Sequence, residues 1–264
     1  MLLKDTRVLL TGATGGLGQE LAQQFASAGA RLILSGRDTR KLGELQASLP
    51  GRAEIVAADL NRGEDIERLI LRAQESGIDV LINNAGVGCF GLLDEQPWSA
   101  IEQVLATNLA TPIRLTQALL PTLKSRPRAA IVNIGSAFGS IPFAGFAAYS
   151  AAKAGLRGFS QALRRELADS PVRVIHLAPR AIATPFNSSA VDALNRALGN
   201  RSDTPAEVAH QILAALRQEE RERHFGYPER IFAWLNGVLP ALVDQGLAGK
   251  LPLIKKYASS RCNL

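Results

Sequence analysis

Tyr149 and Lys153 lie four residues apart in a run, residues 147–167, that is rich in Ala, Leu and Arg. Such a run favours a helix, and on a helix that spacing puts both side chains on one face. A phenol beside an ammonium can handle protons. Free tyrosine titrates near ~10 and is a poor donor or acceptor at neutral pH. A nearby positive charge favours the phenolate and lowers that value. A phenol tuned in this way can give a proton to a nascent alkoxide or take one from an alcohol. Ser136 follows an apolar run at residues 129–134 and could hydrogen-bond the same oxygen. Each feature also has a plainer account. Tyr-x-x-x-Lys arises by chance on surface helices, and a serine after a strand is commonly a turn residue.

The elements that must position these groups alternate along the chain. Apolar runs at residues 7–11, 31–35, 53–58, 79–83, 130–134 and 172–177 predict six strands. Helical patterns separate them at 18–29, up to 49, 63–76 and 147–167. Asp38 or Thr39 is expected to cap the second of these. Residues 99–123 predict one long helix, straight or bent at Pro112. Strands alternating with helices predict an α/β fold, a doubly wound, Rossmann-like parallel sheet covered on both faces. No repeat, low-complexity segment or linker divides it, so one domain over 1–264 is the economical reading.

Between the first strand and first helix stands Thr11-Gly12-Ala13-Thr14-Gly15-Gly16-Leu17-Gly18. A doubly wound sheet binds a dinucleotide at that place. Glycines let the backbone turn tightly and approach a pyrophosphate, and the helix N-terminus offers oriented N–H groups. A glycine turn that merely joins strand to helix is the alternative.

The chain resembles the classical short-chain dehydrogenase/reductase family in five places, in order. They are Thr11-Gly-x-x-x-Gly-x-Gly18, Asn83-Asn-Ala-Gly86, Asn108, Ser136 and Tyr149-x-x-x-Lys153. The resemblance covers about residues 5–190, implied to be the cofactor-binding and catalytic core. It implies a substrate-binding segment at 186–227, with residues 228–264 as an apolar helical C-terminal extension. It also implies roles. Tyr149 would be the acid/base, Ser136 would orient the substrate oxygen, and Lys153 would lower the tyrosine's pKa and hold the nicotinamide ribose. Asn108 would anchor a proton-relay water; a buried amide capping a helix irregularity is compatible with that. Gly12, Thr14, Gly16, Leu17 and Gly18 would approach the cofactor's phosphates. Asn84, Ala85 and Gly86 would line it after strand four, and Asp59 and Leu60 would flank the adenine, although Asp59 also fits a helix cap. Ile182 and Thr184 would meet the carboxamide.

Strand two ends in Gly36-Arg37, with no acid to hold an adenosine ribose and repel a 2′-phosphate. Arg37 can pair with that phosphate, which favours NADP(H) over NAD(H). A solvated arginine beside Asp38 is the other account. Pro179-Arg180 stands where the family commonly has Pro-Gly. Three roles are open for Arg180: solvent exposure, selection of an anionic substrate, or contact with the cofactor.

The implied activity is hydride transfer between NADP(H) and a carbonyl or secondary alcohol. A non-catalytic NADP(H)-binding protein and a membrane-surface interaction protein are the alternatives, and family resemblance suggests a homodimer or homotetramer. The 264 residues carry a net charge of +6 with 47% hydrophobic residues. Both signs of charge are spread along the chain, which argues against a nucleic-acid binder. Cys89 and Cys262, and His176, His210 and His224, form no metal-ligand spacing, so no metal site is expected. The sparse cysteines, and an N-terminus that reads straight into a strand, suggest a cytoplasmic protein.

Thr204-Pro-Ala-Glu207 predicts a capped helix start. Beyond it, no last strand closing in a Gly-Gly turn is legible. Instead Ile231, Leu235, Val238, Leu242 and Val243 recur at helical spacing, interrupted by Pro240. Three accounts of this tail are open. It packs on the domain or at a subunit interface, it covers the pocket of an apolar substrate, or it lies on a membrane surface with Trp234, Lys250, Lys255 and Lys256.

Overall fold

Neighbouring residues of a strand point to opposite faces. In Arg7–Thr11 (β1), Val8 and Leu10 enter one apolar core while Leu9 enters the other. Neither face is wet, which is why the strand reads as an unbroken apolar run. The structure, a computed structural model, describes residues 1–258. Six further strands share the sheet: β2 (Arg31–Gly36), β3 (Ala53–Ala57), β4 (Val80–Asn83), β5 (Ala129–Ile134), β6 (Val172–Ala178) and β7 (Glu222–His224). All pair in parallel, in the order β3-β2-β1-β4-β5-β6-β7. The chain winds one way from β1 to β3 and the other way from β4 to β7. The switch point therefore lies between β1 and β4, where such sheets take ligands at their carboxyl ends.

Helices cover both faces. On one side α1 (Gly16–Ser27) and α2 (Thr39–Ser48) join α8 (Pro205–Gln218), with Leu21, Phe25, Leu42 and Ile212 buried against the sheet. On the other, α3 (Gly63–Ser76), α5 (Thr111–Lys124) and α6 (Ala147–Glu166) bring Leu69, Leu115 and Leu163 to the second core. Asp38 caps α2 by accepting from Lys41 N–H. Thr204 and Glu207 form the expected reciprocal box at the start of α8.

Three features differ from the sequence reading. A seventh strand exists at Glu222–His224, beside β6. It is three polar residues at a sheet edge, so it carries no apolar signature. The helix expected over 99–123 is α4 (Trp98–Leu105) and α5 joined by a π turn at Ala106–Ala110. Pro112 is the cause of the slip rather than a bend. It has no N–H for the carbonyl of Asn108 four residues back, and Thr111 N–H reaches Ala106 O in the wider turn. The tail, third, divides at Pro240 as the sequence predicts, but its apolar residues do not form one buried stripe. It forms α9 (Tyr227–Val238), α10 (Pro240–Ala248) and α11 (Leu251–Ala258), divided at Leu239 and Pro240. The predicted stripe is thereby split: Val243 is buried, while Ile231, Val238 and Leu242 are exposed. The remaining helix, α7 (Ser189–Ala197), packs against α11. Among the described residues no helix is long and apolar enough to cross a membrane. Cys262 lies outside them.

Candidate functional site

Helix α6 carries Tyr149 and Lys153 on its inner face, both buried. The 3-10 turn Ala137–Gly139 lies directly on it: a Cβ at Gly139 would stand 2.8 Å from Lys153 O. Ser136 begins that turn, and its Oγ accepts from Phe138 N–H at 3.2 Å. The serine is therefore a turn residue and still has its own O–H to donate. Lys153 Nζ donates to Ile134 O at 2.9 Å and stands 5.7 Å from the centroid of the Tyr149 ring. Burial pushes the Tyr149 phenol up to about 12, and its hydrogen bond with Ser136 pulls in the opposite direction. Burial lowers the Lys153 ammonium to about 8. Desolvation outweighs the Ser136 hydrogen bond, so Tyr149 holds its proton at neutral pH, and the lowering expected from Lys153 is not what sets this phenol.

The lysine shift has a consequence for stability. Unfolded, this lysine keeps its proton up to its ordinary value of 10.5; folded, it releases it near 8. Between those values the unfolded chain binds more protons, so stability rises with pH. The cofactor-free protein should gain on the order of 1–2 kcal/mol more between pH ~8 and ~9.5 than its Lys153→Met variant. Urea midpoints of both proteins at the two pH values measure this. Equal slopes would show that burial does not move the lysine.

The loops after β1 and β4 are tied together before any ligand arrives. Thr11 Oγ1 donates to Ile82 O and accepts from the Asn84 and Ala85 N–H groups, each at 3.1 Å. Asn84 Nδ2 donates back to Thr11 O at 2.9 Å and to Gly12 O at 3.2 Å. Gly12 has φ +65°, and a Cβ there would stand 2.7 Å from Ala85 Cα. The position demands glycine on both counts. Across the groove, a Cβ at Gly16 would stand 2.7 Å from Thr184 Cγ2. Asn108, fully buried in the π turn, donates from Nδ2 to Val87 O at 2.8 Å and Val104 O at 2.9 Å. Its Oδ1 accepts from Val87 N–H at 3.2 Å. The side-chain amide is thus spent on holding the loop after β4.

One cavity of about 1120 Å³ runs along the carboxyl ends of the strands. It is lined by Gly12, Thr14, Gly16, Leu17, Gly18, Arg37, Asp59, Leu60, Asn84, Ala85, Gly86, Ser136, Tyr149, Lys153, Ile182 and Thr184, so all the expected residues except Asn108 meet in it. Leu60 is mostly turned into the core at 8% exposure. Asp59 does not cap α3: its Oδ1 accepts from the N–H and Nδ2 of Asn61, and the N-cap is Arg62.

Arg180 lines the cavity but is not the free solvated cation that was one of its three anticipated roles. It makes a forked ion pair with Asp203, at 2.9 Å and 2.6 Å, and lies 3.6 Å from Glu229. It fastens the end of β6 to the segment before α8 and to the first turn of α9. The sequence reading also missed an aromatic shell around Tyr149, formed by Phe138, Phe146 and Phe186 with ring centroids 6.4, 6.1 and 6.2 Å away. Phe138 and Phe146 sit inside the Ser136–Lys153 stretch itself, so their presence there was the available signal. His176 was missed as well. It is buried beneath Gly135, where a Cβ would stand 2.3 Å from its Nε2, and burial pushes it down to about 3.

A family model described as short chain dehydrogenase matches residues 6–195. The chain belongs to the short chain dehydrogenase family. Among curated relatives it is 34% identical to dehydrogenase/reductase SDR family member 7B of Xenopus tropicalis, over 98% of this chain and 89% of that one. It is 32% identical to the NADP-dependent 3-hydroxy acid dehydrogenase YdfG of Escherichia coli K12, over 95% and 96%. Among solved structures, a short chain dehydrogenase from Burkholderia cenocepacia in complex with NADP superposes with a TM-score of 0.80. It is 26% identical and the match covers 94% of this chain and 99% of that one. A short-chain dehydrogenase from Streptomyces avermitilis gives a TM-score of 0.79 at 30% identity, over 96% and 98%. As a short chain dehydrogenase, the chain is an oxidoreductase acting on a CH–OH or carbonyl carbon.

Proposed function

We propose that this short chain dehydrogenase is an NADP(H)-dependent oxidoreductase with Tyr149 as its acid/base. The observation that carries the reading is the meeting of Ser136, Tyr149 and Lys153 in the same cavity as the glycine loop and Arg37. The groove fits a phosphorylated dinucleotide. Gly12 and Gly18 leave no room for side chains, and Gly16 opens α1 with its N–H groups facing the cavity. Arg37 lines the cavity at the end of β2 with no ion pair among the described residues. The relative named NADP-dependent and the neighbour holding NADP support the same cofactor.

The bound cofactor supplies the hydride. Everything else falls to the chain. Ser136 donates its O–H to the substrate oxygen, which places that oxygen against the Tyr149 hydroxyl. The phenol is in its protonated form, the state needed to neutralise a nascent alkoxide. Lys153 refills the phenol's proton through solvent held at the π turn, where Pro112 leaves the carbonyl of Asn108 without an α-helical donor. In the oxidative direction the same groups work in reverse.

Arg37→Ala is the test of cofactor choice. A charge-assisted contact is worth roughly 1.5–3 kcal/mol, so NADPH affinity should fall on the order of ten- to a hundredfold. NADH affinity should stay within about threefold, because only NADPH carries the 2′-phosphate. Fluorescence titration of both cofactors reads the outcome. Equal losses, or a wild-type preference for NADH, would overturn the assignment.

A further inference from the structure

Beyond Tyr149 the cavity changes character. Its floor is aromatic: Phe138 and Phe143 stack at 5.3 Å with an interplanar angle of 4°, and Phe146 tilts against Phe138 at 5.1 Å. Its roof is the α9–α10 pair, which turns Phe232, Leu235, Leu242 and Leu247 into the same cavity. Within this roof α9 is tied near each of its two ends, and α10 buries Val243. Asn236 Nδ2 donates to Ser140 O at 2.9 Å, and Glu229 lies against Arg180. No residue of α9 is buried, and Phe232 and Leu242 remain 51% and 53% exposed although they line the cavity. This apolar surface faces other apolar surface across open space. Covering it is favourable in proportion to the area removed from water.

The charges facing the cavity near the catalytic floor are already committed. Lys153 is bonded to Ile134 O, and Arg180 holds Asp203 and Glu229. A small acid would find no free cation beside Tyr149 in that set. Arg201 and Lys250 also face the cavity, but from the loop before α8 and the junction of α10 with α11.

Resting on the oxidoreductase reading above, we propose that the substrate is a carbonyl or secondary alcohol on an extended, uncharged alkyl chain. The chain lies between the Phe138–Phe143 floor and the α9–α10 roof, with its oxygen at Ser136 and Tyr149. The roof is a lid whose inner apolar face is completed by the substrate. A chain of this kind also explains why α9 turns apolar residues into the cavity while none of its residues is buried.

The test is a series of straight-chain methyl ketones, from about four to about twelve carbons, reduced by the full-length protein with NADPH. The expected result is a kcat/KM that rises roughly threefold per added methylene over several successive members. Leu235→Ser and Leu247→Ser, on the two lid helices, should each reduce the long-chain to short-chain ratio at least tenfold. Two variants are used so that a folding defect in one, read by circular dichroism, leaves the other. A flat series, or best turnover on short 3-oxo acids, overturns the proposal and leaves the oxidoreductase reading intact. Absence of turnover on every carbonyl, with NADPH still bound, overturns that reading instead. The chain is then tested by calorimetry of the same ketones on the protein saturated with NADP⁺. Affinity that rises with chain length supports the apolar subsite, and affinity that does not overturns it.

Discussion

Tyr149→Phe should lower kcat for carbonyl reduction by 10²- to 10⁴-fold, the usual weight of a positioned proton donor. NADPH affinity should change by no more than about threefold. The reason is geometric. The ring is enclosed by Phe138, Phe146 and Phe186, and a phenylalanine fills the same space with the same edge and face contacts. Only the hydroxyl is lost, together with its hydrogen bond to Ser136. Burial holds that hydroxyl protonated to about pH 12, so the donor form is fully populated at neutral pH. Stopped-flow oxidation of NADPH separates the chemical step from cofactor binding, which fluorescence measures independently. A Phe variant with near-normal kcat on any good substrate would remove Tyr149 from the mechanism.

What the sequence makes legible follows from where the physical constraint is local. Glycines 12 and 18 are forced by close backbone approach and Gly16 by the Thr184 side chain, and that constraint is written in residue type at fixed spacing. Tyr149 and Lys153 share a face because one helix carries both. The doubly wound sheet was readable because each inner strand is buried on both sides. Features that depend on distant partners were not readable. Arg180 looks like an odd cation after β6 until Asp203 and Glu229 arrive from two later elements. β7 has no apolar run because an edge strand of Glu-Arg-His is held by backbone pairing to β6. His176 is one polar residue in an apolar run, and only the structure shows that its ring packs under Gly135, next to the turn that Ser136 begins. Asn108 lies between these cases. The resemblance singles it out, whereas the slipped turn that denies its carbonyl an α-helical donor comes from Pro112. The tail illustrates the limit of periodicity. Its apolar residues do recur at helical spacing, yet the break at Pro240 sends them to two helices, where Val243 is buried and Ile231, Val238 and Leu242 are exposed.

Gly18→Ala tests the claim that the glycine loop is set by contact rather than by flexibility. Gly18 lies in the first turn of α1, and its backbone is not in the left-handed region. Conformational freedom therefore does not explain it. A Cβ there would stand 2.1 Å from Gly12 O and 2.9 Å from Ala13 Cα. Both neighbours are backbone and cannot swing aside, so the helix start must separate from the loop. That loop is itself fixed by Asn84 through Thr11 O and Gly12 O, so the strain passes to the ties between β1 and β4. The expected cost is roughly 2–3 kcal/mol of folding stability, at the upper end for an overpacked site. NADPH affinity should fall at least tenfold as the N–H groups of α1 lose their alignment. Gly43→Ala is the control. It lies inside α2 with nothing within 4 Å of its Cβ position, and alanine there should stabilise by roughly 0.5–1 kcal/mol through helix propensity. Urea unfolding of the two variants, paired with cofactor titration, gives both readings. If Gly18→Ala proved as benign as Gly43→Ala, the loop would have to be mobile enough to absorb a methyl group, and the steric account of the cofactor cradle would fail.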